Sequence, residues 1–199
     1  MKLILLFLAL VAAYWFWLRP LQSVAHPPGI LVSEAPLQTP TVGENRTIQM
    51  GDWSLTLLTN YLVEGRILAK KRYRFDATSD LSPYDLLLGW GPMSDTRVLR
   101  QMSFEQTNRF GLWEYGPKVS LSPEEITLHA ANNHLIPAND AVRARLDALK
   151  IGQVVTIRGK LIEARRKGFE SKPWRSSLIR TDEGTGACEI IYVETVSSR

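Results

Sequence analysis

Cysteine is nearly missing from this chain. Cys188 is the single one among 199 residues, so no disulfide can form within the chain and no cysteine-rich cluster can hold a metal. None lies near the end of the N-terminal apolar run, which excludes a lipoprotein-type acylated cysteine. A strong excess of one charge is also lacking. The net charge of +4 suits an anionic headgroup, an acidic polymer or nucleic acid without choosing among them. Without a disulfide an exported domain is held by packing alone. At 45% hydrophobic residues, the roughly 150 residues left after a targeting segment and a linker are enough for one core.

One long apolar run is present, at residues 3–18 (LILLFLALVAAYWFWL). No charge interrupts it, and as a helix it would be about 24 Å long, somewhat less than a hydrocarbon core. Lys2 and Arg19 can snorkel to the interfaces, and Tyr14, Trp15 and Trp17 form an aromatic belt at headgroup depth. These features describe a retained anchor. Ser23-Val24-Ala25, just past Pro20, supplies the small residues of a signal-peptide cleavage site, which is the rival reading. Either one places the bulk of the chain outside the cytoplasm. The expected organisation is an anchor or signal peptide at 1–19, a proline-rich tether at 20–44 and a single extracytoplasmic domain at 45–199.

The domain starts as strands. Trp53, Leu55 and Leu57 alternate with polar residues, and residues 61–73 (YLVEGRILAKKRY) read as a second strand with a possible bulge at Gly65. That strand carries the densest positive charge of the chain, Arg66, Lys70, Lys71, Arg72 and Arg74. It is a solvated strand face or a binding surface. Residues 79–95 (SDLSPYDLLLGWGPMSD) open like a helix, with Ser82 as cap and Pro83 at the first position. The turn that follows would display Trp90. A short helix over 96–102 and a strand over 110–115 come next. Ser122-Pro123-Glu124-Glu125 starts a helix expected to reach about residue 133, and Asn139 caps another over 140–150.

The last third alternates most regularly. Residues 154–164 (VVTIRGKLIEA) form a strand in which Gly159 permits a bend, 165–171 form a basic loop, 174–181 a strand, 182–186 a glycine turn and 187–196 a strand. Helix, strand, loop, strand, turn and strand in this order resemble half of an OB-type barrel. The fold class expected is therefore α+β: an N-terminal transmembrane helix, then a mainly antiparallel β domain, OB-like in its C-terminal part, with two to four short helices. The segments GWGPMSD (89–95), NNHLIPAND (132–140) and SSLIRTDEGTGACE (176–189) resemble the signature stretches of an uncharacterised family of bacterial envelope proteins with one N-terminal span. That resemblance implies a single-pass bacterial inner-membrane protein with a periplasmic domain. It implies no activity and no catalytic residue.

Four constellations could carry chemistry. Cys188, His134 and Arg180 have the residue types of a cysteine hydrolase or transpeptidase: a thiolate, its proton partner and an oxyanion-stabilising cation. The motifs of sortases and L,D-transpeptidases are not matched, and a cysteine entering an apolar strand also reads as a buried, inert thiol. His129 and His134 with Glu125 diverge around a helix, so neither a metal nor a cofactor is expected. The basic strand 66–74, with Arg66, Lys70 and Arg72, and the loop 165–172, with Arg165 and Lys167, could follow a single nucleic-acid strand with Tyr73, Phe169 and Trp174 as stacking platforms, as OB surfaces do. Arg180 and Asp182 face Glu189 as a cross-strand ion pair or as one wall of a polar pocket with His134. The reading chosen from sequence is a membrane-anchored, non-enzymatic binding or accessory component of an envelope assembly, with another envelope protein or an anionic envelope component as partner. It would present Trp90, the basic strand and the 165–172 loop. The cysteine enzyme and single-strand nucleic-acid binding are its alternatives.

Overall fold

The computed structural model describes residues 23–41, 46–179 and 188–199, together with residue 7. Apart from residue 7 the apolar run at 3–18 lies outside the described residues, as do Arg180 and the glycine turn at 182–186. Among the described residues no helix is long and apolar enough to cross a membrane.

The domain is mainly β, with a mixed eight-stranded sheet and a small two-stranded one. Its backbone is β3 (Trp53–Arg72), which carries the short strands β1 (Leu37–Pro40) and β2 (Thr47–Met50) along its first part. β3 pairs antiparallel with β4 (Tyr84–Gly89), and β4 with β7 (Ala130–Pro137). β7 runs parallel to β10 (Glu189–Ser198), and β10 pairs with β8 (Val154–Arg166). β8 then pairs back onto β3, from Trp53↔Arg166 to Arg66↔Val154, so the pairing path returns to its start. This path uses strands from both halves of the chain, not only the C-terminal third. A two-residue strand β9 (Trp174–Arg175) lies on the far end of β8. Of the strand expected over 174–181, the described residues up to 179 are β only there.

The two strands expected at 53–57 and 61–73 are one strand of 20 residues. Its irregularities fall between Leu57 and Thr59 against β8 and between Ile67 and Ala69 against β4. They let one strand bend and serve two neighbours. Gly65 is in register opposite Val155, and it is small because a Cβ there would lie 3.0 Å from Leu88 Cβ.

Two expected helices are strands. Residues 84–89 are hydrogen-bonded on both sides and buried on both faces, with Leu86 and Leu88 in one core cluster and Leu87 in another. A strand buried on both faces shows no alternation, so its apolar run imitates a helix. The second case is β7. The helix from Ser122, here α2 (Pro123–Leu128), has the expected cap, with Glu125 N–H donating to Ser122 and Ser122 N–H to the Glu125 carboxylate, but it ends at Leu128. His134-Leu135-Ile136-Pro137 continues a strand rather than closing a helix. The domain's described residues also form α1 (Thr96–Leu99), capped by Asp95, α3 (Asp140–Ala148), capped by Asn139, and a single 3-10 turn at Gly91–Ser94. Val142 and Leu146 of α3 and Leu149 beyond it close the main core over Val155, Ile157 and Leu161 of β8.

The small sheet is the hairpin of β5 (Met102–Thr107) and β6 (Phe110–Tyr115). Its turn, Asn108-Arg109, has positive φ at both residues (49° and 70°), the two-residue geometry that matches strand twist. With α1 and α2 the hairpin covers the outer side of β4, where Leu87 is fully buried.

Residues 23–41, expected to be a free tether, are strapped to the domain. Val24 N–H donates to the Ile151 carbonyl at 2.8 Å, and Leu31 and Val32 N–H both donate to buried Ser94 Oγ. Gly29 N–H reaches Asp95, Arg199 holds the Leu31 carbonyl, and Val32 is buried. Prolines make this segment extended, and extended backbone with unpaired N–H groups was free to bind along the domain.

Candidate functional site

The polar triplet Asn132-Asn133-His134 sits in the middle of β7, a strand buried along its whole length. Their side chains bond to neighbouring elements, although Asn133 Oδ1 has no hydrogen bond among the described residues. Asn132 accepts from Gln106 at 2.7 Å and donates to the Arg109 carbonyl at 2.9 Å, which pins the hairpin to β7. Asn133 donates to the Leu86 and Ala131 carbonyls. His134 lies in register with Asp85 on β4 and with Ile190 on β10, so all three project to the same side.

His134 Nδ1 is 2.9 Å from Asp85 Oδ1. Because the carboxylate only accepts, Nδ1 is the donor. His134 is 3% exposed and Asp85 fully buried. Cys188, two residues before Ile190, lies close enough to the imidazole to act on its titration. With Nδ1 committed to Asp85, Nε2 is the nitrogen left for the thiol. Burial alone would lower the pKa of His134, but the hydrogen bonds and charges of Asp85 and Cys188 outweigh it and raise the value to about 9. The Trp174 ring packs on the imidazole at 5.0 Å between centroids.

Cys188 is partly exposed. Its carbonyl accepts from Ser177 N–H at 3.1 Å, and Ser176 Oγ accepts from Ile190 N–H at 3.1 Å. The chain after β9 is thereby stitched to the start of β10, and the thiol is held beside β7.

Arg109 completes the cluster from the hairpin turn. One nitrogen, Nη1, donates to both Asp85 Oδ1 and the Ser82 carbonyl at 2.9 Å. Nε and Nη2 take both oxygens of Asp76 at 3.0 and 2.8 Å. The guanidinium lies 3.8 Å over the Tyr73 ring. Asp85 Oδ1 thus accepts from two cationic side chains, while Oδ2 has no hydrogen bond among the described residues.

Of the sequence candidates, Cys188, His134 and Trp174 come together, and Arg180 lies outside the described residues. Trp90 is not displayed. It is 1% exposed and packs with Val32, Ala131 and Val154, because the strap folds over the turn that carries it. Arg66 is buried, donating to the Ser94 carbonyl and Thr96 Oγ1 under the strap; burial lowers its pKa. Lys70 donates to the Leu146, Asp147 and Leu149 carbonyls at the end of α3, and Arg72 pairs with Asp147 at 2.9 Å. Cations at a helix C-terminus satisfy its orphan carbonyls, so this part of the basic strand is used inside the fold. Arg165 and Arg175 clamp Glu163, whose pKa falls chiefly through the Arg175 bond. Lys167 is exposed. His129 caps α2 through the Glu125 carbonyl, away from β7's polar centre.

Asp85 and Arg109 are the members that sequence reasoning passes over. Asp85 is the lone charge in PYDLLLG, a signal for a paired buried carboxylate, but the segment reads as a helix whose first turn favours an acid. For Arg109 no local signal exists, because its partners Asp76 and Asp85 lie on other elements. Away from the cluster, a groove of about 750 Å³ is lined by Arg46, Asn60, Asn139, Lys160, Tyr192 and Glu194, among others. No family model, curated protein or solved structure matches this chain.

Proposed function

We propose that the protein is a membrane-anchored, extracytoplasmic thiol enzyme of the acyl-transfer class, with Cys188 as nucleophile, His134 as its proton partner and Asp85 holding the imidazole. The His134–Asp85 hydrogen bond, with Cys188 beside the same imidazole, carries this reading. A purely structural thiol has apolar neighbours, whereas this one meets an imidazole whose far nitrogen is fixed by a buried carboxylate. In the reaction the thiolate sulfur bonds to the carbonyl carbon of an ester or amide. The bond to the leaving oxygen or nitrogen breaks, and that atom takes the proton from His134 Nε2. Water or an acceptor hydroxyl or amine then attacks the thioester, passing its proton to the imidazole, and the thiolate leaves.

The closed path β3, β4, β7, β10, β8 has the strand order of an OB-type barrel, with α3 between its third and fourth strands. Such barrels bind ligands on the face of their second and third strands, between the loops joining strands one to two and four to five. Here those are the β4 and β7 face, the loop 73–83 and the described residues 167–179 between β8 and β10, and the cluster sits among them. The β5–β6 hairpin covers much of that face, which leaves little of it for a nucleic-acid strand. Residues 3–18 supply the anchor, and a strap that starts at Val24 keeps the domain close to the inner membrane of a bacterial envelope.

A second reading keeps the protein as a non-enzymatic accessory component, and the polar groove around Lys160 and Tyr192 favours it as a surface for another envelope protein. The test is incubation of the full chain with p-nitrophenyl acetate, followed by mass spectrometry. An acetyl group on Cys188, absent in Cys188→Ser and slow to form in His134→Gln, supports the enzyme. No adduct on folded protein removes it and leaves the accessory reading.

A further inference from the structure

The geometry points to Arg109 as a positioning residue for this centre: the β5–β6 hairpin delivers a fixed cation to Asp85, and that cation sets how tightly Asp85 holds the His134 proton. The inference rests on Cys188, His134 and Asp85 being the reactive group.

Arg109 is held from every side. Asp76 takes two of its nitrogens, the Ser82 carbonyl a third contact and Tyr73 its face. Its own carbonyl accepts from Asn132, two residues before His134 on β7. The Arg109 backbone is left-handed at φ 70°, which an L side chain adopts at a cost and glycine does not. The guanidinium contacts are what this position gains in exchange. Gly111, two residues on, has no room for a Cβ without crowding Leu87 and Asn132 at 3.0 and 3.1 Å, so the hairpin is seated directly on the two strands that carry the site.

One carboxylate oxygen shared by two donors cannot serve both fully. The Arg109 guanidinium competes with the imidazolium for Asp85 Oδ1 while keeping that oxygen aimed at Nδ1. The titratable groups around the imidazole are Asp85 on β4, Cys188 at the start of β10 and, behind Asp85, Arg109 with its partners Asp76 and Tyr73. Trp174 on β9 contributes no charge. Removing Arg109's charge leaves Asp85 to His134 alone, so the imidazolium persists to higher pH. It also frees the carboxylate to turn.

The test uses the full chain in detergent and two readouts: the pH profile of iodoacetamide alkylation at Cys188, and titration of the His134 ring by NMR. Arg109→Met is expected to move the His134 titration up by about one pH unit; because the ring is protonated at neutral pH with or without Arg109, alkylation there should slow about tenfold only through the ring's lost orientation once Asp85 turns. Arg109→Lys should restore the midpoint but not the full rate, because one ammonium cannot hold Asp76 and Asp85 together. If Arg109→Met does not fold, Asp76→Asn substitutes for it. That change loosens Arg109 without touching Asp85 and should shift both readouts in the same direction. Folded variants with the wild-type midpoint and rate overturn the inference. Should His134→Gln also leave the alkylation profile unchanged, the reading of the site itself fails; should only the Arg109 and Asp76 variants be silent, this inference alone fails.

Discussion

Asp85 and His134 face each other across adjacent strands with Oδ1 and Nδ1 2.9 Å apart, and neither is open to solvent. An ion pair so placed is costly unless its partners are supported, and here Arg109 donates to the same carboxylate oxygen while Oδ2 has no hydrogen bond among the described residues. The pair therefore links the stability of the sheet to the reactivity of the thiol.

Its first consequence is a pH dependence of stability. The folded value of His134, about 9, lies above the ordinary 6.5. The fold therefore favours the protonated ring, and this stabilisation is fully present below about pH 6.5 and lost as pH rises through about 9. Thermal melts of wild type and His134→Gln should differ most in mildly acidic buffer and converge toward about pH 10. A gap that widens with pH would reverse the sign of the argument.

The hairpin is anchored by packing as well as by Arg109. Leu87, fully buried between the β sheet and the hairpin with its flanking helices, should cost about 2–5 kcal/mol when cut to alanine, the usual range for such cavities. Urea unfolding measures it, and a loss under about 0.5 kcal/mol, the size of a surface change, would mean that the hairpin does not cover β4.

The strap has a single-residue test. Gly152 has φ +90°, and a Cβ there would lie 2.1 Å from the Val24 carbonyl oxygen. Gly152→Ala should destabilise the chain by about 1–3 kcal/mol through backbone strain and open residues 23–32 to limited proteolysis. Unchanged protection of that segment would show that it is held elsewhere.

What the sequence disclosed follows from how local each signal is. The caps at Ser122 and Asn139 and the alternation of Val155, Ile157 and Leu161 involve neighbours a few residues apart, and the structure reproduces them. β4 was hidden because burial on both faces erased its period. β7 was hidden because Asn132, Asn133 and His134 look like a helix end until partners on β4, β5 and the hairpin turn are in place. At the site, Cys188 and His134 were legible as a pair of residue types. The Asp85 carboxylate that orients the imidazole was not, being 49 residues away on a segment read as helix. The strap was misread for a related reason: proline predicts extension and says nothing of the surface along which an extended chain lies.

The most direct measurement is the rate of iodoacetamide alkylation of Cys188 at neutral pH in the full-length protein, set against His134→Gln. Because Cys188 is the only cysteine, no other thiol contributes. An imidazole that activates the thiol makes the wild type at least about tenfold faster than the variant, with both folded. Equal rates, or labelling of the wild type only after denaturation, would contradict a reactive centre at Cys188.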